Sequence, residues 1–393
     1  MRSLHMAVIL AALCAFAGCE FEVSIEDGGR KNAAGPLPML YAQRATEWNG
    51  QAVMAGQYVT DEKDGSYTPK AVHTGTFVSS DGVSWENRGS SFPCVWQYEN
   101  FQPNLFSYGG RLWVLDHARG EYDEAGARYD ALYVSDDAKD WHLFNGRVPN
   151  ENTSGWSRFA PKFPVIEFHG HCISFTCKSG AGYMFDYVAE PVMAHYSSDM
   201  KTWESYYTNL PKGLFGFTVT EADGKLYAIG GAYISYQGYM MTEYTNIDWV
   251  YVSDDGSRWT KVDDYEHFPG RAYHSAVFFN GSLVVAGGGV YPDMNRSCVY
   301  SAPLDALSDW SRLYDRDAYG QDGDLWRDGL KRVLFVLGGR LVLAGGHYSQ
   351  GWGGWTSIHF PDRNYYESDP SLADVFTSAD GTSWKQESGK END

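Results

Sequence analysis

The sequence predicts an all-β fold: a six-bladed β-propeller built from four-stranded antiparallel blades. Three observations lead there. A glycine turn recurs six times, at Gly50, Gly110, Gly170, Gly224, Gly281 and Gly339, spaced 54 to 60 residues apart. A Ser-x-Asp-x-x-x-Trp turn follows in five units: Ser79/Asp81/Trp85, Ser135/Asp137/Trp141, Ser197/Asp199/Trp203, Ser253/Asp255/Trp259 and Ser378/Asp380/Trp384. The remaining unit ends irregularly at Trp310. Around every turn glycine, apolar and polar residues alternate. A repeat of this length with several short strands indicates a propeller or a solenoid.

The strands follow from the glycine register. Five residues before the glycine stand Ala45, Leu105, Val165, Val219, Ala276 and Leu334, all apolar. One residue after it stand Gln51, Arg111, His171, Lys225, Ser282 and Arg340, all polar. Ala52, Leu112, Cys172, Leu226, Leu283 and Leu341 come next and are apolar again. Period-two alternation across a glycine turn marks a β-hairpin, here the first two strands of each unit. The third strand leads into the Ser-x-Asp turn and the fourth begins at the tryptophan. Six such units make a closed propeller, with units at about 45–105, 106–163, 164–215, 216–272, 273–328 and 329–390.

Some of these residues carry a resemblance. Arg271-Ala272-Tyr273-His274-Ser275, followed by Gly281 through Gly287-Gly288, resembles a kelch repeat. Gly230-Gly231 and Gly345-Gly346 repeat its double glycine, while the first three units depart from it. The serine-aspartate turn is similar to the Asp-box of sialidase-like propellers, one residue shorter before the tryptophan. The resemblance implies the fold over nearly the whole chain and selects no single family. A short Asp side chain bonds backbone N–H groups of its own turn, and the tryptophan is expected between neighbouring sheets. Residues recurring in five units are therefore read as structural. His171 occupies a position that is polar in all units and is read as a surface turn residue.

The N-terminus reads as an export signal. Met1 and Arg2 precede an apolar run from Met6 to Phe16, too short to span a bilayer. Phe16-Ala17-Gly18-Cys19 resembles the lipobox of bacterial lipoproteins, which implies cleavage before Cys19 and lipidation of its thiol; an ordinary secretory signal cut nearby is the alternative. Residues 1–18 are then a signal peptide, 19–38 an acidic flexible tether and 39–393 the propeller. The expected location is the bacterial cell envelope at the outer membrane, facing the periplasm or the cell surface, with the lipid as the one membrane contact.

Composition narrows the partners. Without residues 1–18 the chain keeps 30 of 31 Lys and Arg and all 50 Asp and Glu, a formal charge of −20. Nucleic acid is excluded, because phosphates need a basic footprint. Aromatics are abundant, with 28 Tyr, 20 Phe and 14 Trp. Cys172 and Cys177 lie on one predicted strand, too far apart to bond each other. An exported compartment allows other pairings, such as Cys94 with Cys177; buried free thiols are the equal alternative.

Strand parity places the binding face. The short turns within each unit share one face, so the long connections 116–130, 178–192, 232–248 and 347–372 lie on the other, where binding residues collect. These loops supply Tyr183, Tyr236, Tyr239, His347, Trp352 and Trp355, rings suited to sugars or to a protein partner. Arg158, Lys162, Arg271, His274, Arg327, Lys331 and Arg332 lead into the innermost strands, where converging cations attract a carboxylate or sulfate. Salt bridges to nearby acids are the competing reading for each cation.

The catalytic inventory is open. Glu121, Asp123, Glu124, Asp186 and Glu190 are loop carboxylates of the kind a glycosidase pairs. His274, Tyr273 and Arg271 lie together and suit a uronate lyase, which needs a base and a cation beside a developing enolate. No His-x-x-x-His, paired Cys-x-x-Cys, phosphate loop or nucleophile elbow occurs, and no metal ligand or cofactor is assigned. The leading expectation is a propeller that binds an acidic glycan or another small acidic ligand. The alternatives are a carbohydrate-active enzyme (glycoside hydrolase, uronate lyase or sialic-acid mutarotase) and a scaffold for an envelope protein partner.

Overall fold

Six four-stranded antiparallel sheets stand in a ring, as the repeat predicts. The computed structural model describes residues 41–59, 72–89, 92–93, 104–122, 128–150, 164–179, 189–237, 242–265, 267–288, 299–314, 333–344 and 375–388. All of them lie in one compact unit, Ala34–Asp393. Blade 1 holds β1 (Tyr41–Trp48), β2 (Gln51–Val59), β3 (Val72–Ser79) and β4 (Glu86–Gly89). Blade 2 holds β5 (Asn104–Tyr108), β6 (Arg111–Tyr122), β7 (Arg128–Ser135) and β8 (His142–Asn150). Blade 3 holds β9 (Val165–Phe168), β10 (His171–Ser179), β11 (Ala189–Ser197) and β12 (Glu204–Tyr207).

Blade 4 holds β13 (Thr218–Ala222) and β14 (Lys225–Ile229), then a separate hairpin of β15 (Ala232–Gln237) and β16 (Thr242–Asn246), and returns with β17 (Val250–Ser253) and β18 (Thr260–Lys261). Blade 5 holds β19 (Ser275–Phe279), β20 (Ser282–Ala286), β21 (Val299–Pro303) and β22 (Ser311–Tyr314). Blade 6 holds β23 (Val333–Leu337), β24 (Arg340–Ala344), β25 (Val375–Ser378) and β26 (Lys385–Ser388). The first strands touch in sequence around the axis, and β23 returns to β1.

The core sits between blades. Six apolar clusters occupy the six inter-blade spaces, and each takes the tryptophan of the blade on one side. Trp259 packs between blades 3 and 4, and Trp384 between blades 5 and 6. Trp310 does the same between blades 4 and 5, edge-on to Phe268 at 4.9 Å. Its irregular unit replaces the Ser-x-Asp turn with backbone turns, Ala306 N–H to Pro303 O at 3.0 Å and Asp309 N–H to Ala306 O at 2.9 Å.

The Ser-x-Asp turns are structural. In blade 4 the Ser253 hydroxyl donates to Asp255 Oδ1 at 3.1 Å, which accepts Ser257 and Arg258 N–H at 2.8 Å each. Trp259 Nε1 then donates to Gly256 O at 2.8 Å. The same bonds recur at Ser79/Asp81 and Ser378/Asp380. Backbone N–H groups of Thr202 and Lys201 pull the Asp199 carboxyl down to about 2. These carboxylates serve their own turns. The Tyr108 hydroxyl, 2.9 Å from both Gly170 O and Ser198 O, ties a glycine turn to a Ser-x-Asp turn on one face of the ring.

Two long connections differ from the loops expected. The 232–248 segment folds on itself as the β15–β16 hairpin, clipped to the blade by reciprocal Phe215–Ala232 backbone bonds of 2.9 and 2.8 Å. The 116–130 segment continues β6 and β7 as paired strand through Tyr122 and Arg128. Pairing within each segment satisfies backbone groups that an open loop would leave to solvent. Segment 347–372 lies outside the described residues. Cys172 and Cys177 are both free and buried. The Cys94–Cys177 pairing is therefore not made. Cys177 Sγ instead donates to Glu190 O at 3.3 Å, and burial pushes its thiol up to about 12.

Candidate functional site

All six first strands border one central cavity of about 210 Å³. β1 contributes Ala45, β5 Asn104 to Phe106, β9 Val165, β13 Thr218 and Val219, β19 Ser275 and Ala276, and β23 Val333 and Leu334. Gly216, Phe217, Tyr273 and His274 join from the segments that lead into β13 and β19. The strand positions precede their turn glycines by four to six residues, so the cavity lies away from the glycine turns, on the face of the long connections. Its location follows from closure: six strands converging on an axis leave a gap that short side chains such as Ala45, Thr218 and Ser275 do not fill.

The polar lining is uncharged apart from a titratable imidazole. Asn104 and His274 are buried, while Thr218, Ser275 and Tyr273 are half-buried. The Thr218 hydroxyl donates to His274 O at 2.8 Å, joining blades 4 and 5 at the rim. Among the described lining residues there is no Asp, Glu, Lys or Arg. Among the described residues, no group of three or more His, Cys, Asp and Glu could hold a metal ion.

The segment Arg271–His274 is clamped by two double glycines. Gly231 N–H donates to Arg271 O at 2.8 Å, and Arg271 NH1 donates to Gly287 O at 3.0 Å. A Cβ on Gly230 would lie 2.7 Å from His274 Cε1, and one on Gly288 only 2.5 Å from Ala272 O. Both glycines also have positive φ, 60° and 67°, so side chains are excluded twice.

The structure separates the expected site residues. His274 lines the cavity. Arg271 does not: its side chain is fully buried, over the Tyr300 ring at 4.8 Å and the Phe268 ring at 5.5 Å, with its Nε donating to Pro269 O at 3.2 Å. Apolar and aromatic neighbours and backbone acceptors draw this guanidinium between the sheets rather than to the axis. Tyr236 lies on β15, paired with Glu243 of β16. Glu190, the second residue of β11, is half-buried, and its carbonyl accepts Gly213 N–H at 2.8 Å. Arg158, Lys162, Arg327, Lys331, Arg332, Tyr183, Tyr239, His347, Trp352, Trp355 and Cys19 lie outside the described residues.

Sequence reasoning passed over Asn104, Thr218 and Ser275 as site residues. A signal existed: each is a polar residue one position before the register residue Leu105, Val219 or Ala276, in the strand that alternation places nearest the axis.

Known structures share this architecture. An α-L-arabinanase from Penicillium chrysogenum, solved with arabinobiose, matches with a TM-score of 0.51 and 17% identity over 80% of this chain and 93% of its own. A mutant α-L-arabinofuranosidase, Arb93A from Fusarium graminearum, solved with an iminosugar inhibitor, matches at 0.51 and 14% over 79% and 91%. At these identities the likeness is one of fold. No protein-family model and no curated protein matches the sequence.

Proposed function

We propose that this protein is a carbohydrate-active propeller that takes a glycan chain end into its central cavity, with glycoside hydrolysis as its reaction. The observation that carries this reading is the cavity itself, bordered by all six first strands, with an amide from β5, hydroxyls from β13 and β19, and the Tyr273 ring and His274 imidazole from the segment before β19. Small pockets with a few convergent polar groups are the usual sites of such ligands. The two arabinan-acting propellers, each solved with a sugar or sugar-like ligand, support carbohydrate as the ligand class and arabinose-containing glycans as the first substrates to try. Hydrolysis by paired carboxylates would draw them from the connections around the rim.

A specific observation favours binding without turnover as the second reading. The described lining holds no carboxylate, and glycoside cleavage normally uses two. An acidic sugar would owe its preference to the cations leading into the first strands, such as Lys162 and Arg332, rather than to Arg271.

The test is direct. The full chain is incubated with linear arabinan, branched arabinan, polygalacturonate and a sulfated glycan, and sugar ends are assayed. Release of new reducing ends from arabinan is the expected result. Unsaturated ends from polygalacturonate would move the reaction to a lyase. Saturable binding with no new ends would establish the binder, and neither binding nor ends would sink the sugar reading.

The kelch-like double glycines and the lipoprotein signal complete the proposal: a kelch-like propeller tethered in the cell envelope through Cys19. Labelled palmitate should enter the wild-type chain in a bacterial host and be absent from Cys19→Ala. Equal labelling of both would overturn the anchor.

A further inference from the structure

Tyr273 stands at the central cavity in a backbone conformation that bulky residues rarely take. Its φ is 58°, in the left-handed region where an aromatic residue is an outlier. The neighbouring blade shows which residue that corner favours. Three residues before the register positions Val219 and Ala276 stand Gly216 and Tyr273. Gly216 has nearly the same φ, 63°. One corner is thus built with glycine before β13 and with tyrosine before β19. Glycine adopts it without steric cost, so the tyrosine ring is kept against a conformational penalty.

The surroundings over-determine that conformation. Tyr273 N–H donates to Gly216 O at 2.7 Å. The carbonyl two residues earlier, on Arg271, accepts Gly231 N–H, and the one after, on His274, accepts the Thr218 hydroxyl. The ring lies on the bare backbone of Gly216, where a Cβ would be 3.2 Å from Tyr273 Cε2, and packs 6.2 Å from the Phe215 ring. Gly216 and Tyr273 both line the cavity. Strain fixed in this way is characteristic of ligand clamps, and the electron-rich face of an aromatic ring attracts the polarised C–H groups of a sugar.

We propose that Tyr273 is a positioning residue, its fixed ring forming the wall on which one face of a bound sugar lies. This rests on the glycan reading above. The test uses the full chain with arabinobiose and linear arabinan as probes, and compares Tyr273→Gly, Tyr273→Asn, Tyr273→Phe and a cavity-filling Ser275→Trp. Glycine removes both ring and strain, and asparagine keeps a side chain that tolerates positive φ. Both variants should melt near or above the wild type. They should raise Kd, or KM more than they lower kcat, by about tenfold or more, while Tyr273→Phe stays within about twofold.

Two outcomes overturn the wall. One is wild-type affinity in Tyr273→Gly while Ser275→Trp abolishes binding, which leaves the glycan reading intact. The other is a large drop in melting temperature in both the glycine and asparagine variants, which makes the ring a packing element. If Ser275→Trp folds and binds like the wild type, or the wild type binds neither probe, the glycan reading falls and the wall with it.

Discussion

Replacing Trp85 with alanine is expected to lower the unfolding free energy by about 3–5 kcal/mol, the range for deleting a buried tryptophan. Trp85 is 2% exposed and sits in the cluster that joins blade 1 to blade 6, with Ala52, Met54 and Phe77 on one side and Phe335, Val342 and Val375 on the other. Its Nε1 donates to Gly82 O at 3.1 Å, a bond the variant also loses.

This interface is where the ring closes. Blade 1 takes its four strands from Tyr41–Gly89 and blade 6 from Val333–Ser388, so among the described residues no strand of one blade comes from the other end of the chain. Closure rests on side-chain packing, with an added bond from half-buried Arg340 NH2 to Asp81 O at 2.5 Å. Urea titration should show the loss as a lowered midpoint. Amide exchange should quicken first in β1, β2, β24 and β25. Trp203→Ala, at a half-buried tryptophan between blades 2 and 3, is expected to cost less. A loss below about 1 kcal/mol in Trp85→Ala would show that packing there does not hold the ring shut.

The second large effect is a dependence of stability on pH, set by His195. Its side chain is fully buried, with Nε2 2.7 Å from Thr176 Oγ1 and Nδ1 2.7 Å from Ser205 Oγ. Burial lowers its pKa from 6.5 to about 4, against the opposing influence of Asp130. Below pH 6.5 the unfolded chain takes up this proton while the folded chain stays neutral. The unfolded state then binds more protons, so stability falls as pH drops from 6.5 towards 4. The full loss is about 3 kcal/mol, at about 1.4 kcal/mol for each pH step separating the folded from the unfolded value.

His195→Gln keeps a hydrogen-bonding side chain and removes the titration, so its stability should be nearly level over that window. A wild type and a variant with equal slopes between pH 6.5 and 4 would refute this role for His195. The Ser-x-Asp carboxylates act lower. Asp199, held down to about 2, contributes stability that is lost as pH falls below 3.8, so the two effects separate on the pH axis.

The functional predictions depend on a cavity whose place was legible and whose chemistry was only partly so. Alternation around Gly50, Gly110 and their equivalents places the first strands and the short-turn face, and the cavity indeed lies at the opposite ends of those strands. His274 leads into a first strand, and it lines the cavity. Arg271 leads into the same strand and is drawn instead between Tyr300 and Gly287. Sequence position put both near the axis, but the direction of the Arg271 side chain depends on Gly287 and on Tyr300 of β21 in the same blade, whose placement beside it no strand period gives. Tyr273 was visible as a residue, yet its φ of 58° was not. Backbone strain is a tertiary property, imposed here by the Gly216 carbonyl and the glycines that bracket the segment.

By itself the sequence determined the number of blades, their strands and the structural duty of the Ser-x-Asp-Trp turns. Each of these follows from a local period that repeats often enough to be unambiguous. The tertiary structure decided the rest: that the 232–248 connection is a hairpin, that Cys172 and Cys177 stay free, that His195 is sealed between Thr176 and Ser205, and which polar residues meet at the axis. Those outcomes turn on contacts between segments that do not neighbour each other in sequence, from Thr176 and Ser205 on either side of His195 to the blades that meet at the axis. A one-dimensional pattern carries the period of such contacts but not their partners.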